Sequence, residues 1–282
     1  MKKNSTEAIP LILNFCQWLK EQQKSPSTIS TYKRELEKFH EWLQENQCDI
    51  SDLNKNDIQN YIMFLEQQQK STVTIDKTMG AIRTFAKFLE KPELIFGIKL
   101  KPVEKKEEIE TLSCEEYTVL LNQVKEDGNL RDIAIVYILL HTGIRVSELC
   151  RLDRSHVDFA KSELTVPGNK EKRIIPLSYD AHVHLENYLQ SHQEKALFIT
   201  KSGDPITERS VQYMLKKYEV NQNKLRHTFC QTLVDSNVDL GIVSKLAGHK
   251  DINVTKRYVK SQLNHSRLNE VINHAFINTM IQ

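Results

Sequence analysis

Four separated stretches of this chain carry side chains suited to gripping a phosphate and reacting there. The first is Thr142-Gly143-Ile144-Arg145-Val146-Ser147-Glu148-Leu149. An arginine just past a glycine turn stands at a helix end, where its fork of N–H donors can hold two phosphate oxygens at once. Glu148, three residues on, can orient that fork. The second is Gly168-Asn169-Lys170-Glu171-Lys172-Arg173, in a turn between strands. A lysine at such a tip can enter a groove or donate a proton. The third, Lys224-Leu225-Arg226-His227-Thr228-Phe229, supplies another arginine and a histidine. The fourth is Leu246-Ala247-Gly248-His249, with Tyr258 following nine residues after the histidine. Taken singly, each has a plainer explanation. A lone arginine is usually a surface ion pair, a lone tyrosine a core residue with a wet hydroxyl, and a lone histidine a structural hydrogen-bond partner.

Helices and a small sheet must bring these stretches together. Residues 1 to about 97 read as four helices and no strands, a small helical domain. The first carries Ile9, Ile12, Phe15, Cys16 and Leu19 on one stripe. The second opens at Ser25-Pro26, an N-cap with proline at the first helical position, and its face is Ile29, Tyr32, Leu36, Phe39 and Leu43. The third carries Ile58, Ile62 and Leu65. The fourth opens near Ser71, carries Ile75, Met79, Ile82, Phe85 and Leu89, and is limited by Pro92. Residues 98–111 are charged and lack apolar period, a linker composition. Residues 112–282 form a second domain. It begins with a strongly apolar helix within Asn129–Leu152, followed by strands at Glu163–Val166 and Arg173–Leu177 that turn at Gly168-Asn169, with Leu197–Thr200 as a candidate third strand. Helical pattern returns over Ser210–Glu219, Lys224–Asp235, Leu240–Leu246 and after Asn253. Leu268, Ile272, Phe276 and Met280 make an apolar stripe at the very end.

The composition is that of a globular protein, at 39 % hydrophobic and 27 % charged residues. Net charge is only +2, so the total says little about partners. The distribution says more. Between Asn221 and Lys260 stand Lys224, Arg226, Lys245, Lys250, Lys256, Arg257 and Lys260, against Asp235, Asp239 and Asp251. That local excess is a candidate phosphate-facing surface, or simply a solvated face. The cysteines, at 16, 48, 114, 150 and 230, are odd in number and form no CxxC pair, which reads as free thiols in a reducing compartment. The N-terminus is not that of a signal peptide. The longest apolar run, Ile133 to Leu140, is far short of a membrane span of about 20 residues. The expected location is the cytoplasm, with no membrane contact.

The order and spacing of the four stretches resemble the tyrosine recombinase (phage integrase) family, most nearly its XerC/XerD-like branch. The pieces that match are TGIRVSEL at 142–149, LRHTF at 225–229, LAGH at 246–249 and Tyr258. SPSTISTYKRELEKFHEWL and TIDKTMGAIRTFAKFLEKP near the N-terminus are similar to the family's helical DNA-clamping domain, so the resemblance covers nearly the whole chain. It implies a mainly α protein with a small β-sheet: a four-helix, SAM-like DNA-clamping domain over 1–97, a linker over 98–111, and an α+β catalytic domain over 112–282 whose last helix docks on a neighbouring subunit. It also implies roles. Arg145 and Arg226 would bind the scissile phosphate and stabilise its developing charge. Tyr258 would attack phosphorus and form a 3′-phosphotyrosyl link. His249 would hydrogen-bond the phosphate, and Lys170 would protonate the departing 5′-oxygen. Phenol has a pKa of roughly 10, so Tyr258 needs a base or strongly positive surroundings. Religation would need neither ATP nor metal, and no metal or cofactor motif is present. The partners implied are duplex DNA with specific sites, a homo-tetramer on two such sites, a Holliday-junction intermediate, and accessory DNA-bound subunits in some members.

Two positions depart from the family pattern. Where the family has histidine, sometimes lysine, three residues before the second arginine, this chain has Asn223, which can hydrogen-bond a phosphate but cannot exchange a proton at neutral pH. His227 matches a family position without a definite role. The lysine turn reads PGNKEKR and is shorter than usual, leaving Lys172 as the alternative to Lys170. These departures lean towards a mobile-element enzyme, for cointegrate resolution or integration and excision, with a TnpI-type transposon resolvase as the specific expectation. Asn223 also motivates the alternative of a DNA-binding protein that kept the fold and lost the chemistry. A helical interaction protein would explain the stripes but not the four-stretch match.

Overall fold

The computed structural model describes residues 5–101, 109–168 and 172–259. The chain folds as two compact units, Met1–Lys106 and Glu107–Gln282.

The first unit is helical: α1 (Ser5–Glu21), α2 (Pro26–Glu45), α3 (Lys55–Gln67) and α4 (Thr72–Phe88), with 3-10 turns at Ile50–Asp52 and Pro92–Leu94. The starts of α2, α3 and α4 have a chemical cause. Ser25 and Ser71 accept from the N–H groups of Thr28 and Thr74, and Asn54 and Asp57 close a reciprocal capping box. The predicted stripes become one core, with Phe15, Leu19, Leu36, Phe39, Leu43, Ile58, Met79, Ile82 and Phe85 almost wholly buried. Ile98 and Leu100 pack on that core as well. The buried carboxylate of Glu35 accepts from Thr78 at 3.1 Å and pairs with Lys38 at 3.5 Å, which offsets its desolvation.

The second unit contains α5 (Cys114–Glu126), α6 (Leu130–Thr142), α7 (Val146–Leu149), β1 (Val157–Asp158), β2 (Glu163–Val166), β3 (Arg173–Pro176), α8 (Tyr179–Leu189), α9 (Glu208–Lys217), α10 (Gln222–Asp235), α11 (Leu240–Ala247) and α12 (Ile252–Lys256). Helix α6 is its axis. Ile133 to Leu140 are buried on every side, and α5, α8 and α10 pack around it. That run is rich in β-branched residues with poor helix propensity, and full burial overrides the preference. Gly143, at φ +60°, ends α6 in a left-handed turn. The sheet is antiparallel in the order β1-β2-β3, with Leu164 opposite Ile175 and Val166 opposite Arg173. The strand absent from the sequence expectations is β1, Val157–Asp158. Leu197–Thr200, expected as a strand, makes only an isolated bridge from Ile199 to Pro205, while Leu197 and Phe198 serve as core residues. Helices α5 and α8 have no counterpart in the sequence expectations. Both sit between charged segments, and their apolar faces are short: Leu120 and Val124 in α5, Ala181, Leu185, Tyr188 and Leu189 in α8. Asn169 of the predicted turn, Lys170, and the terminal stripe from Leu268 to Met280 lie outside the described residues. Among the described residues no helix is long and apolar enough to cross a membrane, and no group of three or more His, Cys, Asp or Glu is placed to hold a metal ion.

Candidate active site

Two glycine-terminated helices build the centre of the second unit. Gly143 ends α6 and Gly248, at φ +68°, ends α11. Both carbonyls point at arginines. Arg226, buried on α10, donates through Nη1 to the Gly143 carbonyl, and Arg145, the N-cap residue of α7, donates through Nη2 to the Gly248 carbonyl at 3.1 Å. A neutral acceptor fixes a guanidinium without cancelling its charge.

The carboxylate hydrogen-bonded to Arg145 and Arg173 is Glu148. Arg173 grips it with both arms, at 2.9 and 2.8 Å, and the Arg145 N–H donates to it at 2.8 Å. The Arg145 guanidinium lies farther off, at 3.4 Å. Burial works to raise the Glu148 carboxyl, but the Arg173 fork and the Arg145 N–H outweigh it and hold the group below its ordinary value. Arg173 itself is anchored by its Nε, which donates to the Leu246 carbonyl at 2.9 Å. Among the described residues three guanidinium charges stand against Glu148 and against Glu208, which lines the same cleft, so one positive charge remains, matching the single charge of a phosphodiester.

Arg226 carries a buried donor that the neighbouring side chains leave unused. Its Nη2 is buried with no hydrogen-bond partner among the described residues, and burial together with the nearby Arg145 lowers its affinity for a proton. A buried unpaired donor is costly unless a ligand completes it. Arg145, Arg226 and Asn223 line one cleft of about 220 Å³ with Ile144, Ser147, Glu208 and Gln222. Asn223 reaches it because Asn221 caps α10, accepting from the Asn223 and Lys224 N–H groups at 2.9 and 3.0 Å.

Tyr258 follows α12 and is only 2 % exposed. Its hydroxyl lies 2.6 Å from Nδ1 of His227, one residue beyond Arg226. Burial and the neighbouring Cys230 thiol push its phenol above the ordinary value. His249 stands with its ring parallel to that of Tyr258, 6.4 Å between centroids, and its Nδ1 is 2.7 Å from the buried Thr255 hydroxyl. Burial first, then Arg226 and Arg145, drive His249 down to about 4, so it is neutral at pH 7. Arg145, Asn223 and Arg226 thus share the cleft, Glu148 braces Arg145, and His227 and His249 flank Tyr258. Lys172 is exposed, and Lys170 lies outside the described residues. The sequence reading gives no role to Arg173, which closes a run of basic residues, or to the two glycine carbonyls. A glycine directly after an apolar helical run was the available signal for those carbonyls.

Comparison with known proteins gives a consistent set of likenesses. Residues 110–265 match the phage integrase family, and residues 12–92 match the phage integrase N-terminal SAM-like domain. The chain is 30 % identical over 259 residues to the tyrosine recombinase XerC of Staphylococcus aureus, covering 84 % of this chain and 87 % of that one. It is 30 % identical over 280 residues to a tyrosine recombinase homologue of Caldanaerobacter subterraneus, covering 92 % and 95 %. Among solved structures it resembles the XerA recombinase, at 25 % identity and TM-score 0.51 with 94 % and 98 % covered. It also resembles the Tn1549 transposon integrase in complex with a circular intermediate DNA. That match has a TM-score of 0.76 with 93 % and 99 % covered, and at 17 % identity it speaks to the fold alone.

Proposed function

This chain belongs to the phage integrase family and is a tyrosine recombinase, and on that premise we propose that it cleaves and rejoins duplex DNA at specific sites through Tyr258, in the service of a mobile element. The observation that carries the reading is the orphaned Nη2 of buried Arg226 beside Arg145. A seat with surplus positive charge and an unused buried donor suits the non-bridging oxygens of a phosphodiester. Asn223 adds a neutral donor in the same cleft.

In the proposed reaction the phenol oxygen of Tyr258 attacks phosphorus. The P–O5′ bond breaks and the departing oxygen takes a proton from Lys170, with Lys172 as the alternative donor. The 3′-phosphotyrosyl bond conserves the energy of the phosphodiester, so a 5′-hydroxyl from a second duplex can reverse the step. Two sites, a homo-tetramer, accessory DNA-bound subunits where needed, and a Holliday junction complete the exchange. The first unit serves as the DNA clamp, the stretch within 98–111 that follows Leu100 as the linker, and the chain end as the part that docks on a neighbouring subunit. The work takes place in the cytoplasm. Asn223 in place of an ionisable residue supports cointegrate resolution or integration and excision rather than housekeeping chromosome resolution.

The test is covalent trapping. Nicked duplexes from the DNA flanking the gene are mixed with the protein without magnesium, denatured and resolved. An adduct that vanishes in Tyr258→Phe is expected, and Arg145→Ala or Arg226→Ala should lower it about 100- to 1,000-fold. Tight binding without adduct would instead support the DNA-binding alternative that Asn223 motivates.

A further inference from the structure

We propose that His227 is the proton acceptor for Tyr258, taking the role that Asn223 cannot fill. This rests on the recombinase reading above and deepens it. Three observations carry it. The Tyr258 hydroxyl and His227 Nδ1 are 2.6 Å apart, within the range of a strong O–H···N bond. His227 follows Arg226 directly on α10, so one turn of helix presents the phosphate ligand and the base together. His249, the other histidine beside Tyr258, turns its Nδ1 to Thr255.

The groups facing His227 set its charge. Arg226 on its own helix, Arg257 and Tyr258 after α12, His249 after α11, and Glu110 ahead of α5 surround it. Burial, Arg226 and Arg257 outweigh Glu110 and lower its affinity for a proton, so the ring is neutral at pH 7, as a base must be. A phosphodiester seated on Arg145 and Arg226 adds negative charge close by, which favours the imidazolium once the proton has moved. In the step, the Oη–H bond breaks and its proton goes to Nδ1. The freed electron pair forms the Oη–P bond, and the P–O5′ pair leaves with the general acid's proton. Religation returns the proton from Nδ1 to the phenol oxygen.

The test uses the full chain and the duplex position at which the Tyr258 adduct maps, with the bridging 5′-oxygen there replaced by sulfur. Sulfur leaves without a general acid, so the remaining pH dependence reports deprotonation of the nucleophile. Adduct formation by wild type should rise with pH as His227 loses its proton and then level off. His227→Gln keeps a hydrogen-bonding group, and should form adduct about 100-fold more slowly with a rate that climbs on towards the phenol's own pKa. Nitrogen-15 NMR of the DNA-free protein should show His227 protonated at Nε2 and accepting at Nδ1. A His227→Gln rate and pH profile matching wild type, a uniform slowing with an unchanged profile, or a proton resident on Nδ1 each overturns the proposal. Wild type forming no adduct on any flanking duplex overturns the recombinase reading itself and this proposal with it; loss of the His227→Gln profile difference alone leaves that reading standing.

Discussion

Glu148 and Arg173 form a half-buried ion pair that braces the charge arrangement, with side chains 11 % and 13 % exposed. Removing one partner strands the other charge away from water. Glu148→Gln is therefore expected to destabilise the protein by about 1–3 kcal/mol and to lower adduct formation, because Arg145 loses its brace; urea unfolding and the trapping assay measure the two effects. The pH dependence of stability has a definite sign. His249 titrates near 4 in the folded protein against 6.5 unfolded, so its contribution is complete above pH 6.5 and is lost as pH falls towards about 4. Glu148 is lowered from 4.5, so its contribution is present above that value and lost only in stronger acid. Melting temperatures across pH 7 to 4 should fall less steeply in His249→Gln than in wild type. Lys170 and Lys172 are separated by the sulfur-substituted duplex. Alanine at the true acid abolishes cleavage of the ordinary phosphodiester yet leaves cleavage of the sulfur-bridged one near wild type, and alanine at the other position changes neither ratio.

The ends of α6 and α11 matter more than their lengths. Gly143 and Gly248 turn the chain in a conformation that costs a side-chain-bearing residue about 1–2 kcal/mol, and each leaves its carbonyl facing an arginine. A Cβ on Gly248 would stand 2.9 Å from the Arg173 guanidinium, and one on Gly143 would meet the Phe229 ring. Gly248→Ala should lower both the melting temperature and adduct yield, and Gly143→Ala should do so more severely, since a ring cannot swing aside as a flexible guanidinium can. Ser25→Ala is the contrast. It removes a cap from α2, costs about 1 kcal/mol, and leaves the catalytic unit's chemistry unchanged in single-turnover cleavage of bound DNA.

Each unit has its own core, and both tryptophans, Trp18 and Trp42, belong to the first. Tryptophan fluorescence therefore follows the first unit, while far-ultraviolet circular dichroism follows both. Ile138→Ala, at a fully buried position of α6, should destabilise the second unit by about 2–5 kcal/mol and shift the dichroism transition while the fluorescence midpoint stays put. Coincident shifts would mean that the cores unfold as one. With a net charge of +2, the whole molecule attracts DNA through local patches rather than total charge. Binding to flanking duplexes should weaken linearly on a log–log plot of affinity against salt, and Arg226→Ala should reduce that slope by about one phosphate contact.

Periodicity and punctuation in the sequence determined most of the helical framework. Ser25-Pro26 and Ser71 open α2 and α4 where expected, and the stripes of Phe15, Leu36, Phe39, Ile82 and Phe85 are the first core, because these signals act within a turn or two of the chain. Motif order likewise singled out Arg145, Arg226, His249 and Tyr258 as candidates. Local pattern fell short where contacts are distant. Val157–Asp158 is too short to show alternation and exists as a strand only because Glu163–Leu164 lies beside it, while Leu197–Phe198 is apolar for the core's sake. The bond from Tyr258 to His227 spans 31 residues, Arg226 to Gly143 spans 83, and Arg145 to Gly248 spans 103. No spacing rule reaches that far. Only the packing of α10 on α6, and of α11 on α10 and β3, decides which arginine is left with an unused donor and which histidine meets the phenol.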